Sequence, residues 1–421
     1  MTHPPQTPFD DADDVDPSDK RHPGTVVEVF LVFLRLGLTS FGGPVAHLAY
    51  FREAFVTRRR WLTEKAYADL VALCQFLPGP ASSQVGMALG LQRAGYAGMA
   101  AAWFAFTLPS VLLLVAFAFW VQNAGDLAEA GWIQGLKAAA VAVVAHAVIG
   151  MARALTPDAP RASIAAGAMV FVLLVPHPFI QVAAILAAGL AGALWLRAPE
   201  SGPGHQDAFT VRVSRRVSVT ALILFIGLLL GLPLLAGLSG SAWASALDSF
   251  YRAGALVFGG GHVVLPLLQS ETVPQLVDAE VFLAGYGAAQ AVPGPLFTFA
   301  GFLGASGGAG VSGLAGAGLA GAGLAVAAIF LPAALLVLAA VPFWERLRSN
   351  ARARRVLLGV NAGVVGILAA ALYTPVFTVG VLEVGTPALV LAVLAFVALN
   401  SWRAPAWAVV IAAGLLGWAV L

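Results

Sequence analysis

Residues 35–86 and 252–301 are two copies of one unit, and the loops inside the copies carry opposite charge. The first copy reads Arg35-Leu-Gly-Leu-Thr-Ser-Phe41-Gly42-Gly43-Pro44 and then Gln75-Phe-Leu-Pro78-Gly79-Pro80. The second reads Arg252-Ala-Gly-Ala-Leu-Val-Phe258-Gly259-Gly260-Gly261 and then Gln290-Ala-Val-Pro293-Gly294-Pro295. The arginines and the Phe-Gly-Gly triplets lie 217 positions apart and the Gln-x-x-Pro-Gly-Pro segments 215, so the register between motifs is kept to within two residues. Between its motifs the first copy carries Arg52, Arg58, Arg59, Arg60 and Lys65, whereas the second carries Glu271, Asp278 and Glu280 with no lysine or arginine. In a membrane protein basic loops stay cytoplasmic, so the two copies are expected to be inserted upside down relative to each other. That is the inverted-repeat plan of secondary transporters, whose sites lie at the repeat interface near the bilayer midplane.

The membrane premise follows from composition. With 60% hydrophobic residues, 10% charged and a mean hydropathy of +0.87, the chain has too little polar surface to cover a soluble globule of 421 residues. Six of its 21 acidic residues, Asp10, Asp11, Asp13, Asp14, Asp16 and Asp19, sit in the polar N-terminal tail, which reads as disordered. No cleavable signal peptide is visible, because the first apolar stretch begins near Thr25 and follows acids rather than a basic segment. One cysteine, Cys74, excludes an internal disulfide and reads as a small buried residue.

A span of about 20 apolar residues crosses a bilayer, and nine such stretches are expected, near 98–121, 131–153, 162–176, 178–197, 217–240, 308–342, 356–373, 376–399 and 404–421. Arg58 to Arg60, Arg93, Arg153, Arg161, the linker arginines and the cluster Arg346 to Arg355 are assigned to the cytoplasm, and Asp126, Glu129, Glu271 to Glu280 and Glu383 to the outside. These assignments agree only if the motif segments 26–57, 66–96, 250–270 and 281–305 each enter and leave on one side as hairpins or re-entrant loops. The expected fold is therefore an all-α polytopic membrane protein with two inverted-topology repeats, each holding two motif-bearing hairpins and four transmembrane helices. Its parts are a disordered acidic cytoplasmic tail, 1–24, an N-terminal repeat, 25–197, a cytoplasmic linker, 198–216, one extra connecting helix, 217–240, and a C-terminal inverted repeat, 241–421. The N-terminus falls inside the cell and Leu421 outside.

The motifs Phe41-Gly42-Gly43-Pro44-x-x-His47, Gln75-x-x-Pro78-Gly79-Pro80-x-x-x-Gln84, Phe258-Gly-Gly-Gly-His262-x-x-x-Pro266 and Gln290-x-x-Pro293-Gly-Pro295-Leu-Phe297 together resemble the signatures of the bacterial chromate ion transporter family, in its long-chain, two-domain form. The resemblance covers about residues 25–421. It implies export of chromate through a bacterial inner membrane and chromate resistance, with sulfate as a similar oxyanion. A sulfate transporter and an anion channel remain the alternatives.

The chemistry of the motifs suits an oxyanion. Glycine and proline interrupt each hairpin inside the membrane, where freed N–H groups are tolerated only if buried in protein or lining a cavity. Helix starts carry about half a positive charge and unpaired donors, so Gly42 and Gly43, and Gly79 followed by Ser82, Ser83 and Gln84, are candidates to bind substrate. Gly259, Gly260, Gly261, Gly294 and Thr298 mirror them. The rival reading makes these segments plain hairpin turns. Arg35 and Arg252, alone in apolar helices, are candidates for a substrate-facing pair, or else snorkel or pair with Glu28 and Asp248. His47 and His262 could titrate or merely pack, and Gln75 and Gln290 could donate to substrate or staple the turn. Lys137 reads as interface-facing and His146 as a packing residue. Gly-x-Ser-Gly at Ser239 and Ser312 lacks the later histidines of an intramembrane protease, and seven scattered histidines make no zinc motif. No enzyme activity, cofactor, metal or nucleic-acid partner is expected. The partners are chromate, sulfate as an alternative and the lipid bilayer, with a homodimer left open.

The charge contrast sets the first test. In a Cys74→Ser background, Arg59→Cys should label only from the cytoplasm and Gln275→Cys only from outside; labelling of both from one side contradicts inversion.

Overall fold

The computed structural model describes residues 23–123, 130–175, 177, 180–197, 209, 211, 213–258, 261–307, 318–344 and 350–421. Sixteen α-helices and no strand occur among the described residues, which makes the chain an all-α polytopic membrane protein. The acidic tail, most of the linker, Asp126, Glu129, Arg346, Arg348, Gly259 and Gly260 lie outside the described residues.

The first motif pair builds two short hairpins. Helix α1 (Val26–Thr39) starts on a Thr25 cap and buries Val29, Val32, Phe33 and Gly37 on one face. After the Ser40–Gly42 turn, α2 (Gly43–Arg52) runs back along it, and Phe33 packs edge-on to Phe51 and stacks on Phe55. Helix α3 (Glu64–Phe76) descends to Pro78-Gly79-Pro80, and α4 (Ala81–Asn123) climbs back before breaking at Ala94 and Gly95. At that break the chain has returned to its starting end: Gly24 donates its N–H to the Arg93 carbonyl at 3.0 Å, and Arg93 pairs with Glu28 and lies over Trp61. Fourteen residues of α1 rise ~21 Å, so the turn reaches well into a hydrocarbon core ~30 Å thick.

Helices α5 (Gly131–Leu155), α6 (Ala159–Leu174) and α7 (Ile180–Trp195) follow, then α8 (Arg215–Ser239). Only 11% of the apolar window of α8 is buried, which places this connecting helix at the lipid-facing periphery. The second motif pair occupies α9 (Ala242–Ala255), α10 (Val264–Thr272), α11 (Ala279–Ala291) and α12 (Phe299–Ser306). Helices α13 (Gly318–Ala340), α14 (Ala351–Ala371), α15 (Thr386–Asn400) and α16 (Ala406–Val420) complete the chain, and a short helical segment within Leu372–Leu382 follows α14 after a break at Thr374.

The halves interlock. Helix α5 packs along α15 and α16 of the second half, and α14 packs along α6 and α7 of the first. Glycines permit both crossings. A Cβ on Gly417 would stand 2.3 Å from the Gly131 carbonyl and 2.7 Å from Gly135 Cα; one on Gly192 would stand 2.5 Å from the Arg355 carbonyl and 2.6 Å from Gly359 Cα. Small residues of this kind let backbones touch in lipid, where apolar burial supplies no driving force between helices.

The nine expected crossings need one correction. Five stretches, 81–122, 131–155, 215–239, 318–343 and 351–382, have the length and apolarity to span. The other four, α6, α7, α15 and α16, are 15 or 16 residues long. Each rises ~24 Å or less, and Pro157-Asp158 before α6 and Ala404-Pro405 before α16 cut the helical pattern short. Leu186, Leu190 and Leu194 keep α7 apolar on its outer face, so the bilayer is expected to thin around these pairs.

Gly192→Ala and Gly417→Ala should each lower the melting temperature of the detergent-solubilised protein, by overpacking of about 1–3 kcal/mol. Gly227→Ala, which meets nothing within 4 Å, should not.

Candidate functional site

At the centre of the molecule the two Pro-Gly-Pro turns each donate a peptide N–H to the other half. Gly79 donates to the Val257 carbonyl at 2.7 Å, and Gly294 donates to the Ser40 carbonyl at 2.9 Å. Val257 and Ser40 each precede a Phe-Gly-Gly triplet, so the contacts are reciprocal. Gly79 and Gly294 have φ of +118° and +99°, a left-handed backbone that a side chain would strain. Neighbours fill the space above them: a Cβ on Gly79 would meet Ala333, and one on Gly294 would meet Ser110, whose hydroxyl donates to the Pro293 carbonyl.

Beside this crossing lies a cavity of about 490 Å³. Its floor is Gly42, Gly43, Gly294 and Leu296, its walls are α5 and α11, and its mouth is the turn between α15 and α16. Two helical starts converge on the floor. Helix α2 begins at Gly43 after a left-handed Gly42 (φ +99°) with no side-chain cap, and the short turn Leu296–Thr298 leads into α12. Among the described residues the charged side chains in the lining are Arg153 and Arg403; His146, His262, Gln290 and Asn400 add polar groups, and no carboxylate lines it. His262 is held through Nδ1 by the Tyr286 hydroxyl at 3.1 Å. The Gln290 amide is buried next to the same Tyr286 hydroxyl, and its nitrogen makes no bond of normal geometry there, so it is free to turn toward a ligand. Arg403 itself sits at φ +54°, a left-handed conformation uncommon for a residue with a Cβ. Such a basin with two helix starts at its base concentrates positive potential where an anion would rest.

Among the residues expected from sequence to bind substrate, Gly42, Gly43, His262, Gln290 and Gly294 are brought together here. The others are placed elsewhere. His47 is wholly buried: Nε2 donates to the Ser40 carbonyl at 3.1 Å, and Nδ1 faces the Ser82 hydroxyl at 3.3 Å. Gln84 donates to the Pro78 carbonyl and Thr298 to the Pro295 carbonyl. Ser83 is buried beneath the same turn, and Gly261 lies against Pro44. The His47, Ser82, Gln84 and Thr298 bonds brace the turns, whereas the buried Ser83 hydroxyl makes no hydrogen bond among the described residues. Gln75 is exposed outside the cavity.

The arginine pair is not assembled. Arg252 donates to Asp248 at 2.6 Å and to Glu271 at 2.9 Å within a largely buried cluster, whereas Arg35 is exposed on α1 with no ion pair among the described residues. Leu31 and Ala54 occupy the first-half positions of Asp248 and Glu271, so the equivalent carboxylates do not exist. Two other readings change. Lys137 is fully buried against Glu280 at 2.9 Å rather than interface-facing, and His146 lines the cavity rather than packing. Arg153 enters the sequence analysis only as a topology signal, as a basic residue at a helix end does, and Arg403 does not enter it, yet both line the cavity. Their common position at the ends of α5 and α15 was the available clue.

Comparison with known proteins decides the family. The profile of the chromate transporter family matches residues 27–193 and 244–418, leaving out α8 and the linker. The chain belongs to the chromate transporter family. A chromate transport protein of Pseudomonas aeruginosa is 28% identical over 94% of this chain and 93% of its own length. A chromate transport protein of Cupriavidus metallidurans is 28% identical over 82% of each chain. An uncharacterized transporter of Methanocaldococcus jannaschii is 27% identical, covering 84% of this chain and 85% of its own. No solved structure matches. In this member of the chromate transporter family the motif glycines are thus split between a cavity floor and the joint beneath it.

The arginine placements give a stability test. Arg252→Ala leaves two carboxylates unpaired in a largely buried site, a loss of about 3–5 kcal/mol, and should lower the melting temperature sharply. Arg35→Ala should leave it unchanged.

Proposed function

We propose that this member of the chromate transporter family carries chromate out of the cytoplasm through the cavity between its halves. The observation that carries the reading is the lining itself, two arginines and two histidines with no carboxylate among the described residues, above two helix starts. A tetrahedral dianion fits this chemistry: guanidinium groups at the mouth draw it in, and peptide N–H groups with Gln290 and His262 replace its water at the floor. Sulfate has the same charge and shape and competes for the same groups.

The direction follows from the sign of the mouth. Arg153 is assigned by positive charge to the cytoplasm, and Arg403 shares its mouth of the cavity, so the cavity faces inward in this state. The halves 25–197 and 241–421 are then inverted repeats turned over by the single pass of α8, and alternating access is a rocking of one against the other about the Gly79 and Gly294 joints. An outward-moving dianion gains about 2.3 kcal/mol per charge for every 100 mV of inside-negative potential, enough to drive export from a bacterial inner membrane without a coupled ion. The bound anion is carried and not chemically altered, so the reading is of a transporter and not an enzyme.

The test is flux in proteoliposomes at set voltage with chromate, sulfate, molybdate and phosphate. Chromate flux should rise with inside-negative potential and be inhibited by sulfate. Arg153→Gln and Arg403→Gln should each raise KM for chromate about tenfold, the loss expected for one charge-assisted contact of about 1.5 kcal/mol. Flux unchanged in both variants, or no chromate flux at all, overturns the reading; conductance far above carrier rates would make the protein a channel.

A further inference from the structure

A second polar hollow, of about 210 Å³, lies between α6, α7, α10 and α14. Its polar lining is Gln181, Gln269, Ser270 and Thr374, with the Pro266 carbonyl and Ala370 beside them. Its position is fixed by the interlocked glycines. The Gly417 crossing on Gly131 and Gly135 is repeated by the Gly192 crossing on Arg355 and Gly359, with corresponding approaches equal to within 0.2 Å. That register pairs Gly135 with Gly359 and Gly417 with Gly192, shifts of 224 and 225 positions. Applied to the large cavity, it carries Val143 to Ile367, His146 to Ala370 and Ala406 to Gln181. All three line the small hollow.

We propose that this hollow is the exit half of the anion path, narrow in the present state and widened when the halves rock. The inference rests on the transport reading above. Three features agree with it. The hollow is less than half the volume of its counterpart and does not include the Gly79 turn, whereas the large cavity ends on the Gly294 turn. A latch holds it narrow, because the Gln181 amide donates to the Pro266 carbonyl at 2.9 Å and ties α7 to α10. Its chemistry is that of release, since the same register replaces His146 by Ala370 and Arg153 by Phe377, and the polar groups in its lining among the described residues are neutral amides and hydroxyls. A cationic mouth binds a dianion from dilute solution and a neutral one lets it go. Uncharged polar side chains in a membrane interior also call for water or a passing solute.

The test places Ser270→Cys in a Cys74→Ser background, in right-side-out vesicles, with a membrane-impermeant trimethylammonium thiosulfonate added outside. Labelling should be slow at rest, rise several-fold when chromate is loaded inside, and abolish chromate efflux once complete. Gln181→Leu, which removes the latch, should raise the resting rate. Labelling that ignores chromate, or labelled protein with undiminished efflux, overturns the inference; if Ser270→Cys folds poorly, Gln269→Cys is read in the same way. The unlabelled parent separates the two readings. If it moves chromate while labelling stays indifferent, the exit assignment alone fails, and if it moves none, the transport reading fails and the inference falls with it.

Discussion

Everything at the centre of this protein depends on two peptide groups. The N–H groups of Gly79 and Gly294, each in a left-handed turn between prolines, cross from one half of the chain to a carbonyl that precedes the Phe-Gly-Gly triplet of the other. Proline on each side removes a competing donor and restricts the neighbouring backbone, so the turn has one conformation in which its glycine N–H is available. Because the pair is reciprocal, neither half can complete its turn alone. The His47, Ser82, Gln84 and Thr298 hydrogen bonds then serve to hold the turns in place, and the cavity is what remains open beside them.

That opening is strongly asymmetric in charge although its frame is nearly symmetric. Glycine crossings at Gly417 and Gly192 match to a few tenths of an ångström, yet the large cavity has Arg153, Arg403, His146 and His262 where the other hollow has amides and hydroxyls. Duplication supplies the frame and substitution supplies the sign. Buried charges that do not serve the site are neutralised locally, as Arg252 is by Asp248 and Glu271 and Lys137 by Glu280. A lone charge in such surroundings would be costly.

Much of the frame was legible in the sequence because it is written in residue types with few alternatives. Glycine at a left-handed turn and proline beside it can be read without coordinates, and the break of α4 at Ala94 and Gly95 falls where the hairpin was expected to end. Gly42, Gly43 and Gly294 reached the cavity for the same reason, and His262 and Gln290 by standing a few residues from such turns. The side chains that give it charge were harder to see. Arg403 depends on how the α15–α16 turn folds inward, and His146 depends on which face of α5 the partner half leaves uncovered; both are tertiary facts. Arg252 misled because equivalent positions in a duplicated chain need not keep equivalent neighbours, and only the second half has the carboxylates that claim it.

The account's central claim is that the anion rests where the two motif sets meet. Anomalous diffraction at the chromium absorption edge from crystals soaked in chromate measures this directly. The account predicts one strong peak in the large cavity, bounded by Gly42, Gly43, Gly294, Gln290 and His262. A peak beside Arg35 or the Arg252 cluster, with none above the Gly294 turn, would contradict it.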